Sequence, residues 1–219
     1  MSTEQKLMIF CDFDGTITEN DNIVAIMKRF APPEWESIKE DVLAQRISIR
    51  NGVGQFFRLL PSSLKKEMTE FILHDARIRE GFEDFVEYTK SQDIELIVVS
   101  GGMDFFVHPL LQKYDLPIYC NEAKFDEETI RVEWPHGCDS HCENECGCCK
   151  PSILRTIGGQ RRKIVIGDSI TDLQAAKQAD FVVARDFLLQ KCQELNLPHA
   201  SFTTFYDVIK ILKQPEVMT

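Results

Sequence analysis

The chain has 219 residues, 43% hydrophobic and 27% charged, with 35 acidic residues against 25 basic ones and a formal net charge of −10. That length suits one compact core, or one core carrying a modest subdomain. The composition excludes a fibrous or disordered chain, and the absence of a long basic tract argues against nucleic acid or an anionic membrane as partner. The opening MSTEQKL lacks the basic, apolar and small-residue order of a signal peptide, and no apolar run approaches the ~20 residues of a membrane span. A cytoplasmic location is therefore expected, with thiols reduced.

KLMIFCDF is a short apolar run ending in acidic residues, the pattern of a buried parallel strand. A helix-compatible stretch, NIVAIMKRF, follows. Residues 32–78 hold three helical patterns, PEWESIKEDVLAQ, IRNGVGQFFRLL and SSLKKEMTEFILHDA, punctuated by Pro32, Pro33 and Pro61 with no strand between them. They read as a helical subdomain inserted into something else. Next come a helix at FEDFVEYTKSQ, a buried strand at IELIVVSGG and a helix at MDFFVHPLLQKY. IYCNEAKF and TIRVEWP predict a β-hairpin, with the acidic run at 126–128 as its turn. After a cysteine-rich loop come a helix near SILRTI, the strand RKIVIGDS, a helix at TDLQAAKQA, the short strand FVVA and a helical tail. Strands alternating with helices predict an α/β fold: a Rossmann-like, doubly wound, mainly parallel sheet with an inserted helical subdomain.

In such a sheet, ligands bind beyond the carboxyl ends of the strands. Three strands end in polar signatures, CDFDGT at 11–16, VVSGG at 98–102 and IGDSITD at 166–172, and Lys150 opens a helix. Taken singly, each has an ordinary reading: a solvated edge, a turn, a helix N-cap or a surface lysine. Together they bring Asp12, Asp14, Ser100, Lys150, Asp168 and Asp172 towards one crevice. Clustered carboxylates repel one another unless a cation sits among them, and Mg²⁺ meets that need while binding a phosphate oxygen. Asp12 can then attack phosphorus, and Asp14 can protonate the leaving oxygen and afterwards deprotonate water. Strand alternation would put Asp14, two residues on, on the same side as Asp12. The Ser100 hydroxyl, the Gly101 and Gly102 amides and the Lys150 ammonium can neutralise the transferring group. Asp172 has an alternative role as an N-terminal helix acid serving the dipole.

D-F-D-G-T at 12–16, V-V-S-G-G at 98–102, Lys150 and G-D-S-x-T-D at 167–172 resemble the four motifs of the haloacid dehalogenase superfamily of phosphatases. The resemblance implies Asp12 as nucleophile and Asp14 as general acid/base. It also implies Mg²⁺ held by the Asp12 carboxylate, the Asp14 backbone carbonyl and Asp168, with Asp172 in support. The second aspartate favours phosphate chemistry over dehalogenation. The helical insert resembles the cap of the phosphoserine-phosphatase-like branch, dividing the chain into a core at 1–18 and 79–219 and a cap at 19–78.

Phosphoserine phosphatases carry a glutamate nine residues after the nucleophile; the position with that spacing here is the shorter Asp21, and Arg58 is a counterpart for their cap arginine. Across the whole chain, the opening, the insert and the cysteine-rich segment resemble most closely the methionine-salvage members of the superfamily. Their substrate joins a phosphate and an enediol to a thioether tail. Met27, Phe56 and Phe57 can offer that tail apolar contacts, though each alone reads more readily as core of the insert. A Mg²⁺-dependent phosphomonoesterase acting on a small phosphorylated metabolite, as monomer or homodimer, is expected. The alternatives are a phosphoserine phosphatase, a phosphotransferase or a phospho-acceptor receiver domain.

Five of the eight cysteines, Cys138, Cys142, Cys146, Cys148 and Cys149, lie in HGCDSHCENECGCC. Their spacing differs from the paired C-x₂-C units of zinc ribbons. Free thiols or labile disulfides are preferred to a structural Zn²⁺, which a folded loop would accommodate geometrically. His136 and His141 read as solvated loop residues, and Cys11 as packing.

Overall fold

The computed structural model describes residues 6–218; residues 1–5 of the opening read as carrying no leader, and residue 219, lie outside the described residues. Leu7–Cys11 (β1), Glu95–Met103 (β2), Ile118–Lys124 (β3), Arg131–Glu133 (β4), Arg162–Gly167 (β5), Phe181–Ala184 (β6) and His199–Ser201 (β7) form one sheet in the order β4-β3-β2-β1-β5-β6-β7. All neighbours are parallel except β3 and β4, whose hairpin pairs Ala123 with Val132. The sheet has apolar packing on both faces, which is why its central strands read as continuous apolar runs. Ile9, Cys11, Leu96, Val98, Ile164 and Ile166 join one core cluster, and Met8, Phe10, Ile97, Val99 and Val165 join the other.

The insert after β1 forms four α-helices: Asn22–Phe30 (α1), Trp35–Leu43 (α2), Ile49–Arg58 (α3) and Lys65–Asp75 (α4). Asp21 caps α1 by accepting from the Val24 amide, and Ser48 caps α3 by accepting from the Asn51 amide. The two ends of this insert lie side by side. Thr18 and Ile78 form an antiparallel bridge, the Glu19 amide donates to Arg77 O at 2.9 Å, and the Arg79 amide donates to Ile17 O at 2.8 Å. The insert shares a hydrophobic cluster with one sheet face, and Phe57 meets Phe105 edge-on with centroids 6.4 Å apart.

Phe82–Ser91 (α5) leads into β2, Asp104–Leu111 (α6) links β2 to β3, and Lys150–Gly158 (α7) leads into β5. Leu173–Ala176 (α8), Asp186–Glu194 (α9) and Phe205–Leu212 (α10) follow. Two expectations are corrected. TDLQAAKQA does not make one helix; a 3₁₀ turn at Ile170–Asp172, closed by a Ser169/Asp172 capping box, precedes the single turn of α8. The tail is not purely helical. β7 pairs with β6, Val182 opposite His199, although its sequence has no apolar run; edge pairing with a formed strand overrides weak local propensity.

Candidate active site

β1 is wholly buried, and its ladder ends at Cys11, so Asp12 is the first residue beyond the sheet's carboxyl edge. The Asp12 amide still donates to Ile166 O at 2.9 Å, which anchors the chain to β5. Asp14 is not carried by strand alternation. Residues Phe13–Ile17 form one wide helical turn, closed by the Thr18 amide donating to Phe13 O at 2.9 Å, with Gly15 at φ +78°. A side chain at position 15 would be strained by that φ, and its Cβ would fall 2.5 Å from Asp168 Oδ2. The turn, not the pleat, sets where Asp14 stands.

Lys150, at the start of α7, reaches back to β1. Its Nζ lies 2.6 Å from Asp12 Oδ1 and 2.6 Å from Asp172 Oδ1. Asp172 uses its other oxygen to accept from the amides of Asp168 and Ser169, both at 3.1 Å. Asp168, beyond β5, accepts from the Thr16 hydroxyl at 2.7 Å. Oxygens of Asp12, Asp168 and Asp172 all lie within 4.8 Å of one another.

Asp14 Oδ1 accepts from the Asn22 amide at 3.0 Å and from Asn22 Nδ2 at 2.7 Å. On the neighbouring strand, Ser100 is buried and its Oγ accepts from the Gly102 amide at 2.9 Å. A Cβ at Gly102 would come 3.0 Å from Asp14 Oδ2 and 2.9 Å from the Phe106 ring. Glycine thus lets β2 close on the Asp14 carboxylate. Asn121 of β3 holds the adjacent bulge, donating to Gly101 O at 2.8 Å.

Burial raises the pKa of Asp12 well above the carboxylate range; the Asp172 charge adds to this and Lys150 opposes it. Burial and then the Asp21 charge raise Asp14 to about 7 against the Asn22 hydrogen bonds. Burial and then Asp172 raise Asp168 to about 6. Burial pulls the Lys150 ammonium down, but its two carboxylate partners override it and hold the pKa above that of an ordinary lysine. Four carboxylates share one ammonium here, an imbalance that a hard divalent cation relieves. The oxygen-rich donor set fits Mg²⁺ in chemistry and in spacing.

Sequence reasoning overlooked three supporting residues. Thr16 orients Asp168, and Asn22 orients Asp14. Arg79, 7% exposed, donates to Gly15 O and Thr16 O at 2.8 Å, clamping the turn between the two aspartates and the insert. Thr16 lies inside a quoted motif, a signal that was there to be used; Asn22 and Arg79 carried none. The insert candidates are dispersed. Asp21 spends its carboxylate on capping α1. Met27 and Phe57 are fully buried in the core, and Phe56 packs edge-on against Trp35. Arg58 is exposed and lines a cavity of about 320 Å³ between α3, β4 and the cysteine-rich loop.

The model of the haloacid dehalogenase-like hydrolase family matches residues 9–177. The chain is 61% identical over 217 residues to a 2-hydroxy-3-keto-5-methylthiopentenyl-1-phosphate phosphatase of Geobacillus kaustophilus, covering 98% of this chain and 99% of that one. A protein of the same name from Brevibacillus brevis is 56% identical over 214 residues, 96% of each chain. A substrate-bound phosphoserine phosphatase matches the fold at TM-score 0.72 and 19% identity, over 95% of this chain and 99% of that one. The matched span contains every residue of the crevice from Asp12 to Asp172, on the same doubly wound sheet, and the chain belongs to the haloacid dehalogenase-like hydrolase family.

Proposed function

We propose that this phosphatase hydrolyses 2-hydroxy-3-keto-5-methylthiopentenyl-1-phosphate in L-methionine salvage, through an aspartyl-phosphate on Asp12. The near full-length identity of 61% to a phosphatase of that name carries the reading. Asp12 attacks phosphorus and the ester P–O bond breaks. Asp14, protonated, gives its proton to the leaving oxygen and so becomes the base that takes a proton from water. That water attacks the aspartyl-phosphate, releasing phosphate and restoring the Asp12 carboxylate.

Lys150 orients the nucleophile through the 2.6 Å contact to Oδ1 and supplies positive charge where the phosphoryl group passes. Ser100 and the Gly101 and Gly102 amides would bind the phosphoryl oxygens, the Gly102 amide exchanging its bond to Ser100 for one to substrate. Mg²⁺ would be held by the Asp12 carboxylate, Asp168 and the Asp14 carbonyl, with Asp172 holding Lys150 and the Asp168 amide in place. When bound, the ion neutralises phosphate charge and restores ionised Asp12.

Residues 19–78 act in this reading as a cap on a core of 1–18 and 79–219, moving about the neck where Thr18 bridges Ile78. Met27, Phe56, Phe57 and Arg58 belong to that cap. A phosphoserine substrate is disfavoured, because the short Asp21 carboxylate is already engaged at the Val24 amide. Among the described residues no helix is long and apolar enough to cross a membrane; we place the enzyme in the cytoplasm as a monomer or homodimer.

The test is hydrolysis of a panel of phosphate esters, including the methylthiopentenyl enol phosphate, phosphoserine and p-nitrophenyl phosphate, with and without EDTA. Highest kcat/KM for the enol phosphate, abolished by EDTA and by Asp12→Asn, is expected. Preference for phosphoserine overturns the substrate, and turnover surviving Asp12→Asn overturns the mechanism.

A further inference from the structure

The cysteine-rich loop folds four of its thiols together, well away in chemistry from the oxygen site. The Sγ atoms of Cys138, Cys142, Cys146 and Cys149 all lie within 4.8 Å of one another. Cys142 and Cys146 are 3.7 Å apart. That is far beyond the ~2.05 Å of a disulfide. It matches the edge, about 3.8 Å, of a tetrahedron whose centre lies ~2.3 Å from each sulfur, the Zn–S bond length. The fifth cysteine is excluded: Cys148 points the other way, with Sγ 3.6 Å from Tyr119 O. Choosing Cys149 over Cys148 turns an unfamiliar spacing into C-x₃-C-x₃-C-x₂-C, closing on a two-residue knuckle.

The hydrogen bonds around the cluster treat its sulfurs as acceptors. The Cys146 amide donates to Cys138 Sγ at 3.4 Å. Ser152 Oγ accepts from the Asp139 amide at 3.0 Å and from Arg155 Nη2 at 3.3 Å, so its single proton is directed to Cys149 Sγ at 2.9 Å. Arg155, fixed by two bonds to Asp139 of 2.6 and 2.9 Å, brings positive charge beside Cys149 and Cys142. Donors and a guanidinium gathered about sulfur suit thiolates, and serve as the outer partners that orient metal ligands.

We propose that Cys138, Cys142, Cys146 and Cys149 bind one structural Zn²⁺, distinct from the magnesium site. This reverses the preference for free thiols or labile disulfides drawn from the sequence. Binding converts four thiols into four thiolates around the ion, releasing four protons. All four positions go to sulfur, so the ion has no open position for catalysis. Its place explains what it would hold. Cys149 immediately precedes Lys150, and its amide donates to His136 O at 2.7 Å. The backbone carbonyl of Glu145, inside the loop, accepts from the Arg50 amide at the start of α3 at 3.1 Å. The ion would thus brace one loop against both the phosphate-binding lysine and the helical insert.

The full-length enzyme, purified under reducing, chelator-free conditions, is assayed for metals and free thiols. About one zinc per chain is expected, with the four thiols reacting only after a strong chelator removes it and Tm falling on removal. Cys142→Ser and Cys146→Ser should lose the zinc; Cys192→Ala, outside the cluster, should keep it. A readout independent of those variants is Co²⁺ exchanged into the wild-type chain. Intense visible bands of tetrahedral cobalt with sulfur-to-metal charge transfer are expected. Zinc well below one per chain after Zn²⁺ reconstitution, a weak octahedral cobalt spectrum, or disulfides mapped among the four cysteines would each overturn the proposal.

Discussion

Lys150 Nζ sits 2.6 Å from Asp12 Oδ1, with both side chains at 7% exposure or less. The ammonium is shared at equal distance with Asp172, so it offsets part of the charge of both carboxylates at once. Replacing Lys150 by Met leaves two buried carboxylates facing each other, and breaking a buried ion pair costs about 3–5 kcal/mol. Lys150→Met should lower kcat at least about a hundredfold and shift the urea midpoint markedly downward. Activity within tenfold of wild type would remove Lys150 from the mechanism.

Asp14 and Asn22 separate leaving-group chemistry from the rest. Asp14→Asn removes the proton donor, so an alkyl phosphate should lose about 10²–10⁴ in kcat/KM. p-Nitrophenyl phosphate, whose leaving group needs no proton, should lose much less. Asn22→Ala should show the same contrast at smaller size, because the carboxyl and the bond from the backbone amide remain and only the bond from Nδ2 goes. Equal losses for both esters would contradict general acid catalysis by Asp14.

Burial holds the Asp14 pKa up at about 7. The protonated acid is therefore present below that pH and lost as pH rises through it. Hydrolysis of an alkyl phosphate should decline on the alkaline side, while p-nitrophenyl phosphate declines less. Asn22→Ala removes the Nδ2 bond that favours the charged form, so the alkaline limb should move to higher pH. Rate profiles of the two esters in both enzymes provide the check.

Gly15→Ala places a methyl against Asp168 Oδ2 and forces a non-glycine residue to φ +78°. The conformation alone costs about 1–2 kcal/mol. Displacement of Asp168 should raise the Mg²⁺ concentration giving half-maximal rate at least about tenfold, if the ion uses that oxygen. Titration of activity with Mg²⁺ measures it; an unchanged midpoint would dissociate Gly15 from the metal site.

Arg79 ties the turn after Asp12 to its surroundings by donating to the carbonyls of Gly15, Thr16, Thr18 and Thr203. Truncation to Ala strips a donor from the buried carbonyls of Thr16 and Thr18 and from the partly buried one of Gly15, and should destabilise the fold by about 3 kcal/mol. Lys, a single point donor, cannot reproduce a planar fork spanning these oxygens, so Arg79→Lys should recover little of the loss. Denaturant melts of the three proteins compare them directly.

Much of this protein was determined locally. LMIFC, ELIVVSGGM and RKIVIG carry apolar runs because both sheet faces are covered, and polar residues follow those runs, Asp12 just past β1, Ser100 late in β2 and Asp168 just past β5, because the covered part of the sheet ends there. That local rule alone located Asp12, Ser100 and Asp168 at one edge. Contacts across the chain obey no local rule. Thr16 meets Asp168 from 152 residues away, Arg79 meets Thr16 from 63, and Lys150 meets Asp172 from 22. Asp14 owes its place to a turn that strand periodicity does not describe, and β7 exists only because β6 offers it an edge. Likewise, five cysteines in one loop are legible as composition, but which four converge depends on how Tyr119, Ser152 and Arg155 fold around them. Residue type and period are written along the chain; partner, distance and protonation arise only when packing removes water and brings distant groups together.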